Sequence, residues 1–309
     1  MTAPAAPDTL GSRNTLGAWV EYAAYRLAIG GLSRMPFAWQ RAAANLVAWA
    51  GTRFERRHSE PGRRYIVQAL GGELDDQAIE ALLVASWRHL TTVVLEDAAF
   101  NRRVLASGRL RDHFEVHLSD EVKAARDQGR GGFFLTPHVG MWEVMPAIAM
   151  ALGFRPGFVV ARPPKNRPIS RHTQRQREMR GFELIHPNGA VAGIKTAIDA
   201  GGWVGLLLDQ RARGKTVVAP YFGKRVRCLR TVPVLVRRLG RPVIFGACYR
   251  TERSLHYRLV ADRVLWPDQL REGDLEGTAA LINRELERLI RAAPDQYLWL
   301  HDRFRGAPT

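Results

Sequence analysis

Cysteine is nearly absent. Cys228 and Cys248 are the only two in 309 residues, which excludes a disulfide-built scaffold and any multi-cysteine zinc centre and fits a reducing compartment. Neither has a histidine close by in sequence, so each reads as a small buried hydrophobe. The chain also lacks Gly-x-x-x-x-Gly-Lys-Ser/Thr, Gly-x-Gly-x-x-Gly, Gly-x-Ser-x-Gly and His-Glu-x-x-His. A nucleotide cradle, a serine-hydrolase elbow and a zincin helix therefore have no support, and no metal is expected. Met1-Thr-Ala-Pro-Ala-Ala-Pro has neither the basic start nor the apolar core of a signal peptide, so no secretion is expected. Acid is in short supply, with 46 Lys and Arg against 30 Asp and Glu, a net charge of +16 and a pI near 10.8. Such an imbalance calls for an acidic partner, whether nucleic acid, an anionic membrane surface, or an acidic protein or substrate.

The excess charge sits in two blocks. Arg162 to Arg180 carries seven basic residues and one acid, and Arg211 to Arg241 carries ten basic residues and none. Together they hold the whole excess, which favours an anion-binding surface over an evenly solvated one. Hydrophobic residues make up 46% of the chain, enough for a real core.

Residues 1–15 read as a flexible tail and 16–125 as an N-terminal helical region. From Leu16 to Phe54 the chain is rich in alanine and aromatics, but Arg26, Arg34 and Arg41 interrupt it before the ~18 apolar residues of a spanning helix accumulate. Breaks are expected at Gly30-Gly31 and Pro36. Tryptophan, tyrosine and arginine on short helices suit a membrane interface, and equally suit packing against a core. The basic run Arg53-Phe-Glu-Arg-Arg57 is placed to touch anionic headgroups, and helical spacing resumes from Asp75 to Asn101, with Asp75 and Asp76 as caps.

From 126 to 309 the texture is an α/β core. Phe133–Leu135, Gly157–Val160, Val204–Leu208 and Val243–Phe245 read as buried strands. Met141–Leu152, Ser170–Arg180, Val191–Ala200 and Thr231–Leu239 read as the helices between them. Leu255–Val264 is expected as an edge strand and Leu275–Ala292 as a closing helix. The implied fold class is α/β, with a mixed, largely parallel central sheet flanked by helices and continuous with the helical region.

The informative segment is Gly131-Gly-Phe-Phe-Leu-Thr-Pro-His-Val-Gly-Met-Trp-Glu143. Positions five apart do not face each other on a continuous helix. If His138 sits in a turn and a helix begins near Gly140, Glu143 folds back toward it. A carboxylate-oriented histidine is a general base. With no activated serine or cysteine nearby, it would deprotonate an acceptor hydroxyl that attacks an acyl donor directly. Taken alone, the spacing also fits a structural histidine. Trp142 would line an acyl chain or belong to the core; Phe222-Gly223 reads as a turn and Thr231 as a helix N-cap.

Five ordered blocks then resemble the late acyltransferases of lipid A biosynthesis, within the wider His-x-x-x-x-Asp/Glu glycerolipid-type acyltransferases. They are His138 with Glu143; Arg162-Pro-Pro-Lys-Asn166; Leu208-Asp-Gln210 with Pro220-Tyr-Phe-Gly223; Thr231-Val-Pro233; and Gln296-Tyr-Leu-Trp299 followed by His301 and Arg303-Phe-Arg305. Two features depart from the family pattern: Arg211-Ala-Arg213 stands where an acidic residue and a glycine usually follow, and the N-terminal segment is less hydrophobic. The resemblance implies a glycerolipid acyltransferase-like fold and an O-acyltransferase with no cofactor. Acyl carrier protein, or coenzyme A, carries the acyl co-substrate, and an anionic lipid A precursor accepts it, at the cytoplasmic face of a bacterial inner membrane in peripheral or monotopic attachment. It casts His138 as base, Glu143 as its orienter, and Arg162, Asn166, Asp209 and Gln210 as substrate-binding. Relatives that acylate mannosylated phosphatidylinositol share the dyad and make that acceptor the alternative. From another class, the pI alone would allow a nucleic-acid binder, although no aromatic stacking platform or helix-turn-helix pattern accompanies it.

Overall fold

The computed structural model describes residues 10–212, 214–270 and 274–307; most of the expected N-terminal tail lies outside them. Four helices come first, α1 (Leu16–Leu32), α2 (Phe37–Phe54), α3 (Arg56–Leu70) and α4 (Asp76–Arg103). There follow β1 (Phe114–Leu118), α5 (Asp120–Asp127), β2 (Gly132–Thr136), α6 (Met145–Ala151), β3 (Gly157–Val160), α7 (Arg167–Glu178) and β4 (Glu183–Ile185). The chain continues through α8 (Ala190–Asp199), β5 (Trp203–Leu207), β6 (Thr216–Tyr221), β7 (Lys224–Leu229), α9 (Thr231–Leu239), β8 (Val243–Arg250), β9 (Tyr257–Leu265) and α10 (Leu275–Arg291).

Seven strands form one sheet in the order β1-β9-β8-β2-β5-β3-β4, parallel except for the β8–β9 pair. The sheet is therefore mixed and largely parallel, as the alternation of apolar runs and helices implied. Both faces of β2 are covered: Phe133 and Leu135 join the core cluster under α3, α8, α9 and α10, while Phe134 joins the one with α4, α5 and α6. A strand buried on both faces needs an unbroken apolar run, and Phe133-Phe-Leu135 is one. The two cysteines are free and buried.

Several boundaries differ from the expectation. Gly30 and Gly31 stay inside α1, and the break falls between Leu32 and Phe37, with Pro36 as the N-cap of α2. Leu255–Val264 is not an edge: β9 lies between β8 and β1. The edge on that side, β1, is short and half exposed, so it carries little apolar signal, and it belongs to the main sheet although it falls within 16–125. Thr231 opens α9 but does not cap it, since Arg230 holds the cap position. Asp75 caps α4 as expected, accepting from the Ala78 amide.

Among the described residues one helix, running from Asp76 to Ser107, is long and apolar enough to cross a membrane by length and composition. It comprises α4, the helix against which α1, α2 and α3 pack, and the short helical turn Leu105–Ser107 that follows it. The large apolar side chains of α1 and α2 that do not face it are left outward: Leu16, Val20 and Leu27 on one, Trp39, Leu46 and Trp49 on the other, all at least half exposed.

Candidate active site

Chain order reverses around β2, because β5 pairs on one side of it and the later β8 on the other. In open α/β sheets such a switch point leaves a crevice beyond the strands' C-terminal ends. The register Thr136↔Leu207 pairs the last residues of β2 and β5. Two residues further along each chain stand His138 and Asp209, at the same height above the sheet.

They meet there. The His138 Nδ1 lies 2.7 Å from Asp209 Oδ1, and the His138 backbone N–H donates to Asp209 Oδ2 at 2.9 Å. An ionised carboxylate only accepts, so Nδ1 carries the proton and Nε2 the lone pair. Asp209 is 2% exposed and His138 16%. Burial alone would raise the Asp209 pKa; the His138 charge, its two hydrogen bonds and the Arg303 guanidinium outweigh that and hold it below the usual carboxylate range. Arg303 is itself buried, donates to the Gln210 carbonyl and lies over the Tyr221 ring, 5.2 Å from its centroid. The Gln210 side-chain amide sits 3.3 Å from His138 Nε2.

Glu143 is elsewhere. No helix begins near Gly140, whose φ of +61° is left-handed. The Met141 amide donates to the Cys248 carbonyl at 2.5 Å, and α6 starts only at Met145. On that turn Glu143 points to α7, where Arg177 Nη2 reaches both carboxylate oxygens at 3.1 and 3.0 Å. Burial would raise the Glu143 pKa, but the Arg177 charge brings it below the usual range. Arg180 ties the same turn down: it donates to the Glu143 carbonyl at 3.1 Å and to Asn101 Oδ1 at 2.8 Å, and pairs with Asp97 at 2.6 Å. The expected Glu143–His138 contact thus gives way to Asp209–His138, with Glu143 bracing the turn.

The other expected residues separate in the same way. Asn166 is buried: it caps α7 through the Ile169 amide and donates to Ala18 O and Glu21 Oε2, so it fastens α1 to α7. Arg162 is exposed on the rim of a cavity of about 1310 Å³ that Gln210 also lines. Its interior is apolar, with Ile194, Leu206, Leu208, Val232, Leu235 and Ile282. Cations mark its lining, among them Arg57, Arg162, Lys195, Arg211 and Arg305. It exceeds the ~300–1,000 Å³ of ordinary small-molecule pockets.

The C-terminal block works as a staple. Gln296 O accepts from the Gly140 amide at 2.9 Å and His138 O accepts from the Leu298 amide at 3.1 Å. Ser86 on α4 bonds Tyr297 O and the Trp299 amide, both at 3.0 Å. Tyr65, Tyr221 and Tyr297 join hydroxyls at 2.9 and 3.4 Å within the same core. Trp142 edges against both His138 and the buried His89, centroids 5.3 and 5.8 Å apart.

A buried carboxylate gripping an imidazole, with a large apolar cavity beside them, marks the candidate site of an α/β protein at the C-terminal edge of its sheet. Residues 11–306 match the bacterial lipid A biosynthesis acyltransferases. The chain belongs to that family, whose members transfer acyl groups. It is 28% identical over 206 residues to a lipid A biosynthesis palmitoleoyltransferase of Escherichia coli, covering 65% of this chain and 64% of that protein. Over 186 residues it is 28% identical to a phosphatidylinositol mannoside acyltransferase of Mycolicibacterium smegmatis, covering 59% and 58%. The matches thus span less than two thirds of these relatives' lengths. A solved 1-acyl-sn-glycerophosphate acyltransferase from Thermotoga maritima superposes with a TM-score of 0.34 at 11% identity, over 82% of this chain and 96% of that one, too loosely to carry an argument.

Proposed function

We propose that this protein moves a fatty acyl chain from a thioester to a hydroxyl of an anionic glycolipid, with His138 as general base and Asp209 as its orienter. The observation that carries the reading is the two-point grip of Asp209 on His138 beside the apolar, cation-lined cavity. The acceptor hydroxyl gives its proton to Nε2 as its oxygen attacks the thioester carbonyl. The tetrahedral intermediate collapses by breaking the C–S bond, and the leaving thiolate takes the proton from the imidazolium. Asp209 stabilises that imidazolium and stays ionised. The cavity takes the acyl chain, and Arg162 with its cationic neighbours takes acceptor phosphate.

The donor we propose is acyl carrier protein. Arg211, Lys215, Lys224, Arg225, Arg227 and Arg230, in and beside the β6–β7 hairpin, are all exposed. None of them forms an ion pair among the described residues, and no acidic residue lies between Arg211 and Arg241. An unpaired basic face beside the cavity is complementary to an acidic carrier. The acceptor we favour is a lipid A precursor, reached from the cytoplasmic face of the inner membrane, with the outward apolar faces of α1 and α2 at the interface.

The test is a mass-spectrometric transfer assay with acyl carrier protein bearing chains of several lengths and a tetra-acylated lipid A precursor. A product heavier by one acyl group, lost in His138→Ala with an unchanged fold, is expected. Full activity in that variant overturns the reading. Transfer only to mannosylated phosphatidylinositol, or only from acyl-coenzyme A, replaces the acceptor or the donor.

A further inference from the structure

At the catalytic nitrogen one contact is unproductive for the reaction as it stands. The lone pair of His138 Nε2, which has to meet the acceptor hydroxyl, is already met by the Gln210 side-chain amide at 3.3 Å. An acceptor oxygen in hydrogen-bond reach of Nε2 needs that place, so the carboxamide must leave before the base can act.

Where it goes is constrained. The Gln210 carbonyl is held by Arg303, and the preceding residue is locked to His138 at both carboxylate oxygens. The backbone is fixed, so the exposed side chain moves only about its own torsions. It also lines the cavity proposed for the acyl chain, so a thioester whose chain lies there presents its carbonyl beside Gln210. The reacting carbon forms its new bond to the oxygen that displaced the carboxamide, within a few ångströms of it. Meanwhile the amides of the base's own loop are committed: His138 to Asp209, Val139 to Pro137 O, Gly140 to Gln296 O and Met141 to Cys248 O. None of these four is free to serve an oxyanion.

We propose that Gln210 is a catalytic residue with two successive partners: its carboxamide masks His138 Nε2 in the resting enzyme, then swings to donate to the thioester carbonyl oxygen as that oxygen becomes an oxyanion. This rests on the acyl-transfer reading above. In the balanced step the acceptor O–H proton goes to Nε2, the O–C bond forms, and the carbonyl electron pair moves onto oxygen, where the Gln210 N–H meets it. Collapse returns the pair, expels the thiolate and frees the carboxamide to return to Nε2. Entry of the hydroxyl thus both unmasks the base and delivers the donor, so the base is covered whenever no acceptor is present.

Two readouts on the full-length protein test this. The first is steady-state transfer with Gln210→Ala, Gln210→Glu and the wild type. Removing an oxyanion donor costs roughly 10²–10³-fold in kcat, so Gln210→Ala is expected to fall by that factor with the thioester KM and the melting temperature little changed. Gln210→Glu, which accepts where the amide donates, is expected to be at least as slow. A Gln210→Ala variant within threefold of wild type, or faster, overturns the proposal and assigns the oxyanion to another donor, such as the Trp142 indole. The second needs no substrate: the rate at which diethyl pyrocarbonate modifies His138, mapped by mass spectrometry among the nine histidines. Unmasking in Gln210→Ala is expected to raise that rate severalfold, with the other histidines unchanged. An unaltered His138 rate overturns the masking even if the transfer assay finds no acceptor, whereas a faster rate with a silent wild type places the failure in the functional reading.

Discussion

Asp209 and Glu143 are both buried carboxylates near one histidine, and their partners make them do different things. Asp209 spends both oxygens on His138, so Asp209→Asn keeps the shape but presents an amide that is no longer a charged acceptor for Nδ1–H. A loss of about 10⁴-fold in kcat, in a protein that still folds at neutral pH, is expected by analogy with other histidine-orienting aspartates. Glu143→Gln breaks the ion pair with Arg177 and leaves the guanidinium, which is 17% exposed, without its counter-charge. Its primary expected effect is a lower melting temperature; kcat falls less than in Asp209→Asn. Measuring both quantities on both variants decides the roles, and the reverse pattern makes Glu143 the orienter. At Gly140 a Cβ would lie 2.1 Å from Cys248 O on a left-handed backbone. Gly140→Ala is expected to cost about 1–3 kcal/mol from the backbone conformation alone, more from the clash, and to misplace His138, visible as lost stability in denaturant titration.

Among the elements, α1–α2 and the β6–β7 hairpin carry surfaces the core does not need. Trp39, Leu46 and Trp49 recur at helical spacing on the outward side of α2. Replacing all three by serine is expected to reduce co-sedimentation with anionic vesicles while leaving the melting temperature within a few degrees, because none of them is buried. An equal loss of fold would mean that the stripe packs within the protein. On the hairpin, Arg225 and Arg227 lie two apart on β7, both exposed. Arg225→Glu with Arg227→Glu is expected to raise KM for carrier-borne acyl chains at least tenfold and to leave KM for the coenzyme A thioester nearly unchanged. Equal effects on both donors would place the acceptor, not the carrier, on this face. The strands and helices behind these surfaces were legible where apolar runs or 3.6-residue spacing were strong, as in β2, β3, α9 and α10. The hairpin and β1 were not: β7 alternates lysine and arginine with apolar residues and looks like loop, while β1 is a five-residue, half-exposed strand with little apolar signal.

For the molecule as a whole, acid stability follows from the buried titratable groups. Burial and the nearby Arg250 push the His89 pKa down to about 3. Between the ordinary value of 6.5 and about 3 the unfolded chain binds a proton that the native one refuses. Stability therefore falls as the pH is lowered through that window, by roughly 1 kcal/mol per unit from this group. Asp209 and Glu143, both held below the usual range, add losses at still lower pH as they protonate; Glu96 and Asp97, raised by burial, have the opposite sign and offset part of them. His89→Gln is expected to flatten the stability profile between pH 6 and 4, the window just described, read by urea denaturation at a series of pH values. An unchanged slope would show that His89 titrates in the native state.

By itself the sequence determined the layered α/β class, the family blocks, the basic windows and the histidine, because these depend on local periodicity and residue type. The carboxylate that holds His138 stands 71 residues away. Spacing within one segment favoured Glu143, five positions on, whereas the pairing of β2 with β5 brings Asp209 to the imidazole. Likewise Arg162 and Asn166, four residues apart, part company only in space: one stays on the cavity rim, and the other is drawn inward because the first turn of α7 and the docked α1 both need its polar groups. Strand register and helix docking are long-range choices fixed by how two buried faces pack. No local pattern encodes them, so only the tertiary structure decided which carboxylate holds His138.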